Sequence, residues 1–240
     1  MNNQNLPANA NSAEIFTSNW NIYRKIVQHN YMHHLESGRQ LTSALAGVNN
    51  KNGIAVLDIG CGDASQVAGY ANQINLHVYK GYDLSGPALE LAAENLKLLP
   101  ARIELVEGDM QSLLASETGN FDVIFSSFAI HHLQDPGKKE LFQHCYQRLN
   151  HGGIMIYNDI FRSHAQSRED YLAEYTSNID KKWHAVNEAE KQLIYDHITN
   201  YDYPAFSDEC EQWFTGIGFK ILNYFKADKW HQMFVLKKPA

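Results

Sequence analysis

Short apolar runs and amphipathic stretches alternate through the middle of this chain. Ile54–Ile59, His77–Tyr82, Arg102–Val106, Phe121–Ser126 and Gly153–Tyr157 are brief and apolar, which predicts strands. Asp63–Ile74, Gly86–Leu98 and Pro136–Leu149 lie between them and read as helices. Pro87 falls where a first helical turn tolerates it. Residues 14–46 read as helical, with Ile15, Tyr23, Ile26, Val27 and Tyr31 at mixed three- and four-residue spacing, and residues 1–12 read as a tail. This alternation predicts βαβ crossovers, hence an α/β fold: a doubly wound, mostly parallel sheet with helices on both faces. The rhythm breaks after Asn158. Residues 160–205 predict a charged, aromatic-rich helical insertion, with Ser167 and Asp170 spaced as a capping box. A helix at Phe206–Thr215 follows. The runs Phe219–Lys226 and Trp230–Leu236 then predict an antiparallel hairpin at a sheet edge.

Composition narrows the class. A chain of 240 residues with 44% hydrophobic and 20% charged positions suits one globular domain with insertions. A net charge of -7 disfavours a nucleic-acid partner, which calls for clustered Lys and Arg. Cys61, Cys145 and Cys210 are an odd count at unrelated spacings, so the expectation is free thiols in a reducing, cytoplasmic setting. The Asn/Ala-rich start has no signal-peptide pattern, and no apolar run is long enough for a membrane span.

The chemistry concentrates at "VLDIGCGDAS", residues 56–65. Gly60 and Gly62 fall where a strand hands over to a helix, so backbone and helix N–H groups can approach a ligand closely. A dinucleotide fingerprint asks for a third glycine where this chain has Ser65. Asp83 follows Asp58 by 25 residues in "GYDLS", and Asp109 follows Asp83 by 26 in "VEGDM". Strand-end acids in an open α/β sheet face one crevice. Asp83 can accept two ribose hydroxyls, as it would for NAD; Asp109 as a second acceptor suits an adenine amine. Asp58, standing where a diphosphate would otherwise lie, suits a cationic ligand. Each acid read singly is also a competent helix N-cap.

The run "VLDIGCGDAS…GYDLSGPALELA…VEGDM…FDVIFSSFAIHHL…LNHGGIMIYND" resembles the class I S-adenosylmethionine-dependent methyltransferases over residues 54 to 159. The closing hairpin resembles them more weakly. The resemblance implies a Rossmann-like seven-stranded sheet whose last strand is antiparallel, with S-adenosyl-L-methionine as cofactor. It implies that Asp58, Gly60, Cys61 and Gly62 border the methionine end of the cofactor, Asp83 the ribose and Asp109 the adenine amine. Leu84 and Met110 would then flank the adenine, and Ser126 would lie near the sulfonium. Ala64 departs from the family, where many members carry a third glycine. The expected organisation is a tail and helical cap over 1–50, the cofactor core over 51–159, a pocket-lining insertion over 160–205, and 206–240 completing the core.

"AIHHL" puts His131 and His132 just past the fourth strand, as a base or metal pair or as packed residues under the cofactor. His131 is expected at the cofactor floor. No Cys/His/carboxylate spacing completes a metal site, so none is expected. His29 and His33, four apart, would share one helix face, with His33 set against substrate. Methyl transfer depends mainly on alignment, with a base needed for a hydroxyl or protonated amine. His33 and Asp159 are the candidate bases. The aromatics Tyr171, Tyr175, Trp183 and Tyr195 of the insertion read first as core, and also as walls of an acceptor pocket. The expected function is methyl transfer to an O or N nucleophile of a small organic molecule, without a nucleic-acid or membrane partner and with a homodimer left open. Methylation of a protein, or a non-catalytic cofactor-binding subunit, are the rivals.

Overall fold

The computed structural model describes residues 20–48, 52–71 and 74–240. The expected tail over 1–12 lies outside them, as does the start of the first helical stretch. Two helices open the described chain, α1 (Trp20–Gln28) and α2 (His34–Ala46). The central elements are β1 (Ile54–Ile59), α3 (Ser65–Tyr70), β2 (Leu76–Asp83), α4 (Gly86–Leu96), β3 (Arg102–Glu107), α5 (Met110–Ser116) and β4 (Phe121–Ser127). A 3₁₀ turn, Ile130–His132, precedes α6 (Asp135–Arg148) and β5 (Leu149–Arg162). The remainder is α7 (Arg168–Lys182), α8 (Glu188–Tyr201), β6 (Ala205–Phe206), α9 (Ser207–Ile217), β7 (Lys220–Lys226) and β8 (His231–Lys237).

Seven strands run in the order β3-β2-β1-β4-β5-β8-β7, with the two-residue β6 paired to the end of β5. β1 through β5 pair in parallel, and β8 is antiparallel to both β5 and β7. Strands β1, β4 and β5 are covered on both faces, which is why they read as continuous apolar runs rather than alternating ones. The chain reverses its direction of travel between β1 and β4, and ligands bind beyond the C-terminal strand ends at such a switch point.

The sheet faces carry two apolar clusters, one around Leu57, Phe142, Tyr157 and Phe214, the other around Leu41, Val56, Tyr79 and Val235. A third cluster stands apart from them. Ile22, Ile26 and Met32 pack there with Ile160, Tyr171, Tyr175, Trp183, Ile194, Ile198 and Trp230, joining α1, α7 and α8 above the end of β5.

Four expectations need correction. The helical stretch over 14–46 is broken, because Asn30 and His33 adopt left-handed backbone at φ 54° and 58° and turn the chain between α1 and α2. His29 and His33 therefore do not share a helix face; the His29 ring stacks on Tyr31 instead, 5.4 Å away. β5, at 14 residues, is nearly three times as long as the five-residue run Gly153–Tyr157, since pairing with β8 runs on to Ile160 and with β6 to Arg162. Ser167 caps α7 by accepting from the Asp170 N–H, but the reciprocal capping box belongs to Asn187 and Glu190 at the start of α8.

Candidate functional site

The β1–α3 turn is shaped by backbone that favours glycine. Gly60 has φ 71° and a Cβ there would lie 2.3 Å from the Ala129 Cβ; Gly62 has φ 53°. Ala64, in place of a third glycine, holds the same left-handed conformation at φ 53°, a strain of roughly 1–2 kcal/mol for a residue with a Cβ. Asp83 closes the turn from the neighbouring strand. Its Oδ2 accepts from the Gly62 N–H at 2.8 Å and its Oδ1 from the Ser85 N–H at 2.9 Å. Each oxygen retains a second acceptor lone pair.

These groups border a cavity at the switch point, lined by Gly60, Gly62, Tyr82, Asp83, Leu84, Ser85, Ala88, Gly108 and Met110. Trp20 and Tyr23 of α1 face it, and Ser127, Phe128, Ala129 and His132 close its far end. Gly60, Gly62, Asp83, Leu84 and Met110 of the expected cofactor set thus meet here. The others sit behind or beside them. Asp58 is buried beneath the turn and accepts from the Tyr79 hydroxyl at 2.7 Å. Burial pushes its carboxyl up to about 7, against the Tyr79 bond that lowers it, with Asp83 raising it further. Cys61 packs toward Gly81, and burial raises its thiol. Asp109 caps α5 through Oδ1, accepting from the Ser112 N–H and hydroxyl at 2.9 Å, while Gly108 and Met110 on either side reach the cavity. Ser126 is buried and ties β4 to β1 by donating to the Ile59 carbonyl at 2.9 Å.

A second cavity adjoins the first. α1 contributes Ile22, Tyr23 and Ile26 to it, and α8 contributes Leu193, Ile194, His197 and Ile198; Met32, Phe128, His131, Ile160, Tyr175, Trp183 and Asp202 complete the wall. Tyr23 and Phe128 line both cavities. Phe128 holds that seam from a left-handed backbone at φ 54°, its N–H bonded to the Asn158 carbonyl at 2.9 Å. Strain of this kind persists only where its surroundings enforce it.

His131 lines this second cavity rather than the first, which corrects its expected place at the cofactor floor. Asp159 is fully buried behind it; Oδ2 accepts from the His131 N–H at 2.9 Å and Oδ1 lies 2.5 Å from Nδ1. Burial works against a charged His131 ring, but the Asp159 and Asp202 carboxylates outweigh it and raise its pKa. Asp159 so engaged cannot reach an acceptor itself. Burial lowers His132 well below the usual histidine range, lowers His197 to about 4, and raises Asp202 to about 6. His33 lines neither cavity: it precedes α2 as its N-cap residue, and its Nε2 lies 3.2 Å from Asp228 Oδ2. Its neighbour His34 is the buried one, 5.1 Å from the Phe128 ring and lowered to about 4 by burial.

The first cavity fits the group that the sequence resemblance implies. It offers a glycine turn, a carboxylate with spare lone pairs, an acid beneath the turn and apolar walls at Leu84, Ala88 and Met110. Among the described residues no Lys or Arg lines it. That suits a cationic nucleoside and not a diphosphate.

Comparison with known proteins agrees. Residues 56–153 match a family model described as "Methyltransferase domain". The chain is 24% identical over 174 residues to a carboxy-S-adenosyl-L-methionine synthase of Campylobacter curvus, covering 71% of this chain and 72% of that one. It is 34% identical over 116 residues to phosphoethanolamine N-methyltransferase 1 of Arabidopsis thaliana, covering 48% of this chain but only 23% of that one. Magnesium protoporphyrin IX methyltransferase from Synechocystis PCC 6803, solved with bound SAM, superposes with a TM-score of 0.67 at 14% identity over 99% of this chain and 100% of that one, a likeness of fold. Residues 56–153 thus match a methyltransferase domain, and the whole chain has the fold of that methyltransferase.

Proposed function

We propose that the second cavity receives a small organic acceptor, largely apolar and carrying one O or N nucleophile. The observation that supports this most is the seam at Tyr23 and Phe128, which joins a glycine-bordered cofactor cavity to an enclosed apolar one. S-adenosylmethionine, when bound, would supply an electrophilic methyl group. Asp83 and the Gly60–Gly62 turn hold the ribose and methionine parts, and Leu84 and Met110 flank the adenine. Asp109, from the cap of α5, and Asp58, from beneath the turn, set the polarity at the two ends. Cys61, Ser126 and Ala64 fix the backbone that carries those groups.

The protein's part in the reaction is orientation and exclusion of water. Holding nucleophile and methyl in line is worth roughly 7–11 kcal/mol in favourable systems. The polar side of the acceptor cavity is the His131, His197 and Asp202 wall, so the acceptor's nucleophile belongs there. Asp159 positions His131 from behind. A protein acceptor is disfavoured because α1, α7 and α8 surround the cavity with aliphatic and aromatic side chains suited to a compact molecule. A non-catalytic binding subunit would have no use for that second cavity. We place the enzyme in the cytoplasm, supported by three free cysteines, two of them buried. Among the described residues no helix is long and apolar enough to cross a membrane.

The test is incubation of the pure protein with S-adenosylmethionine and fractionated small metabolites, followed by mass spectrometry. S-adenosylhomocysteine together with a metabolite heavier by one methylene supports the proposal. A modified S-adenosylmethionine without S-adenosylhomocysteine, or transfer only to added protein, overturns it.

A further inference from the structure

The polar wall of the acceptor cavity is an uncommon cluster. The His131 Nε2 and His132 Nδ1 atoms each lie 3.5 Å from Asp202 Oδ1, and the His197 Nε2 atom lies 3.8 Å from the same oxygen. These separations are too long for charge-assisted hydrogen bonds, which fall near 2.7–2.9 Å. Asp202 Oδ1 is buried, and none of its approaches amounts to a hydrogen bond. A buried carboxylate oxygen held only by these long contacts is under-satisfied, so the gap between them suits a cation.

The spacing matches one. Bonds of roughly 2.0–2.2 Å at tetrahedral angles put ligand atoms about 3.3–3.5 Å apart, the geometry of zinc held by imidazole and carboxylate. His131, His132 and Asp202 bring their donor atoms within 4.8 Å of one another. Neighbouring histidines in a chain rarely converge, but the 3₁₀ turn at Ile130–His132 sets their ring centroids 4.1 Å apart. His131 also carries the support usual for a metal ligand. Its far nitrogen, Nδ1, is held by the buried Asp159 carboxylate.

The scaffold is fastened independently of any ion. The Tyr203 N–H donates to the His131 carbonyl at 2.8 Å, and the Arg168 Nε donates to the Asp202 carbonyl at 2.7 Å. The buried Lys138 ammonium donates to the Leu133 and Tyr203 carbonyls, tying the histidine turn to the Asp202 segment. His33, Asp228 and His231 form the other such cluster among the described residues. There Asp228 is already satisfied, accepting from the Trp230 and His231 N–H groups at 2.8 Å.

We propose that His131 Nε2, His132 Nδ1 and Asp202 Oδ1 bind one divalent transition-metal ion of the zinc type, which would replace the 3.3 Å contact of His132 Nδ1 with the Tyr201 carbonyl. His132 lines the cofactor cavity and the other two line the acceptor cavity, so the ion lies at their boundary. An N₂O donor set of two imidazoles and one carboxylate selects zinc or cobalt over calcium or magnesium. The inference stands apart from the identity of the acceptor, since ion binding is read without turnover.

Full-length protein, stripped with chelator and dialysed, is titrated with Zn²⁺ by calorimetry and with Co²⁺ by visible absorption. The expected result is one equivalent of zinc and the intense visible bands of tetrahedral cobalt. Asp202→Asn should weaken zinc binding at least tenfold, and Asp159→Asn, acting through His131, by about 10- to 100-fold. S-adenosylhomocysteine affinity, measured on the same samples, should stay within twofold for Asp202→Asn, showing that this variant is folded. His33→Ala should leave zinc binding unchanged. Absence of a stoichiometric ion in folded wild-type protein overturns the proposal. So does an ion retained by Asp202→Asn or lost in His33→Ala.

Discussion

Asp83 does two jobs with one carboxylate, and that makes it the sharpest residue to test. Its bonds to the Gly62 and Ser85 N–H groups fix the turn, and its remaining lone pairs are proposed for the ribose. Asp83→Asn keeps the shape and removes the charge. Losing a charge-assisted hydrogen bond costs about 1.5–3 kcal/mol, so calorimetry should show S-adenosylhomocysteine binding roughly 10- to 150-fold weaker. An unchanged affinity in a folded variant would refute the ribose role. Asp58 makes a pH argument. Its folded carboxyl sits near 7, well above an unfolded value of about 3.9. The stability it contributes is therefore complete below the unfolded value and is lost as pH rises through about 7. Asp58→Asn should melt higher than wild type at pH 8 without cofactor, and that advantage should shrink toward pH 5. Cofactor affinity should respond in the opposite sense, because an ionised Asp58 attracts the cationic methionine end. Wild type should bind more tightly at pH 8 than at pH 6, and the variant should lose that gain. A melting difference that does not vary with pH would mean that Asp58 does not titrate between pH 5 and 8.

The separation of cavities by element gives a test that spares the cofactor. α8 contributes Leu193 to the acceptor cavity and nothing to the cofactor cavity, and Leu193 is 41% exposed at that cavity's edge. Leu193→Trp should crowd acceptor entry without disturbing a packed core. Once an acceptor is identified, kcat/KM should fall at least tenfold while S-adenosylhomocysteine affinity stays within twofold; normal kinetics would place the acceptor elsewhere. Elements also show where the sequence was readable. β1, β2, β4 and the β7–β8 hairpin are written in local apolar runs, so the sheet and its glycine turn follow from the chain directly. α5 escaped, because seven residues give too little periodicity to register. The break between α1 and α2 escaped as well, since Asn30 and His33 enter left-handed backbone without a glycine to signal it. The acceptor wall was legible only in part. "AIHHL" marked His131 and His132, but Asp202 joins them across some 70 residues by way of β5, α7 and α8, a contact no local pattern encodes. Trp20 and Tyr23, three apart at the start of α1, were the available hint that this helix faces the cofactor.

At the scale of the molecule, α1 connects two otherwise separate parts. It presents Trp20 and Tyr23 to the cofactor cavity and buries Ile22 and Ile26 in the cluster shared with α7 and α8. Nine residues are too few for a helix to be stable alone, so α1 persists through that cluster and its Lys25–Glu190 ion pair at 2.6 Å. Few of its contacts reach the sheet, and segments so attached open locally at less than the global cost of unfolding. Occupying the cavity adds the binding energy to every opening that breaks its wall. At a hundredfold excess over Kd that is about 2.7 kcal/mol, or roughly a hundredfold slower exchange of the affected amides. Hydrogen exchange should therefore show S-adenosylhomocysteine protecting the α1 amides together with the Gly60–Gly62 turn and Asp83. β7 lies at the far edge of the sheet and lines neither of these cavities, so its locally exchanging amides should be unaffected. NAD at the same concentration should protect none of them, because among the described residues the cavity has no Lys or Arg for a diphosphate. Protection confined to the glycine turn, with α1 exchanging as before, would show that α1 is a bystander and that the acceptor cavity closes by α7 and α8 alone.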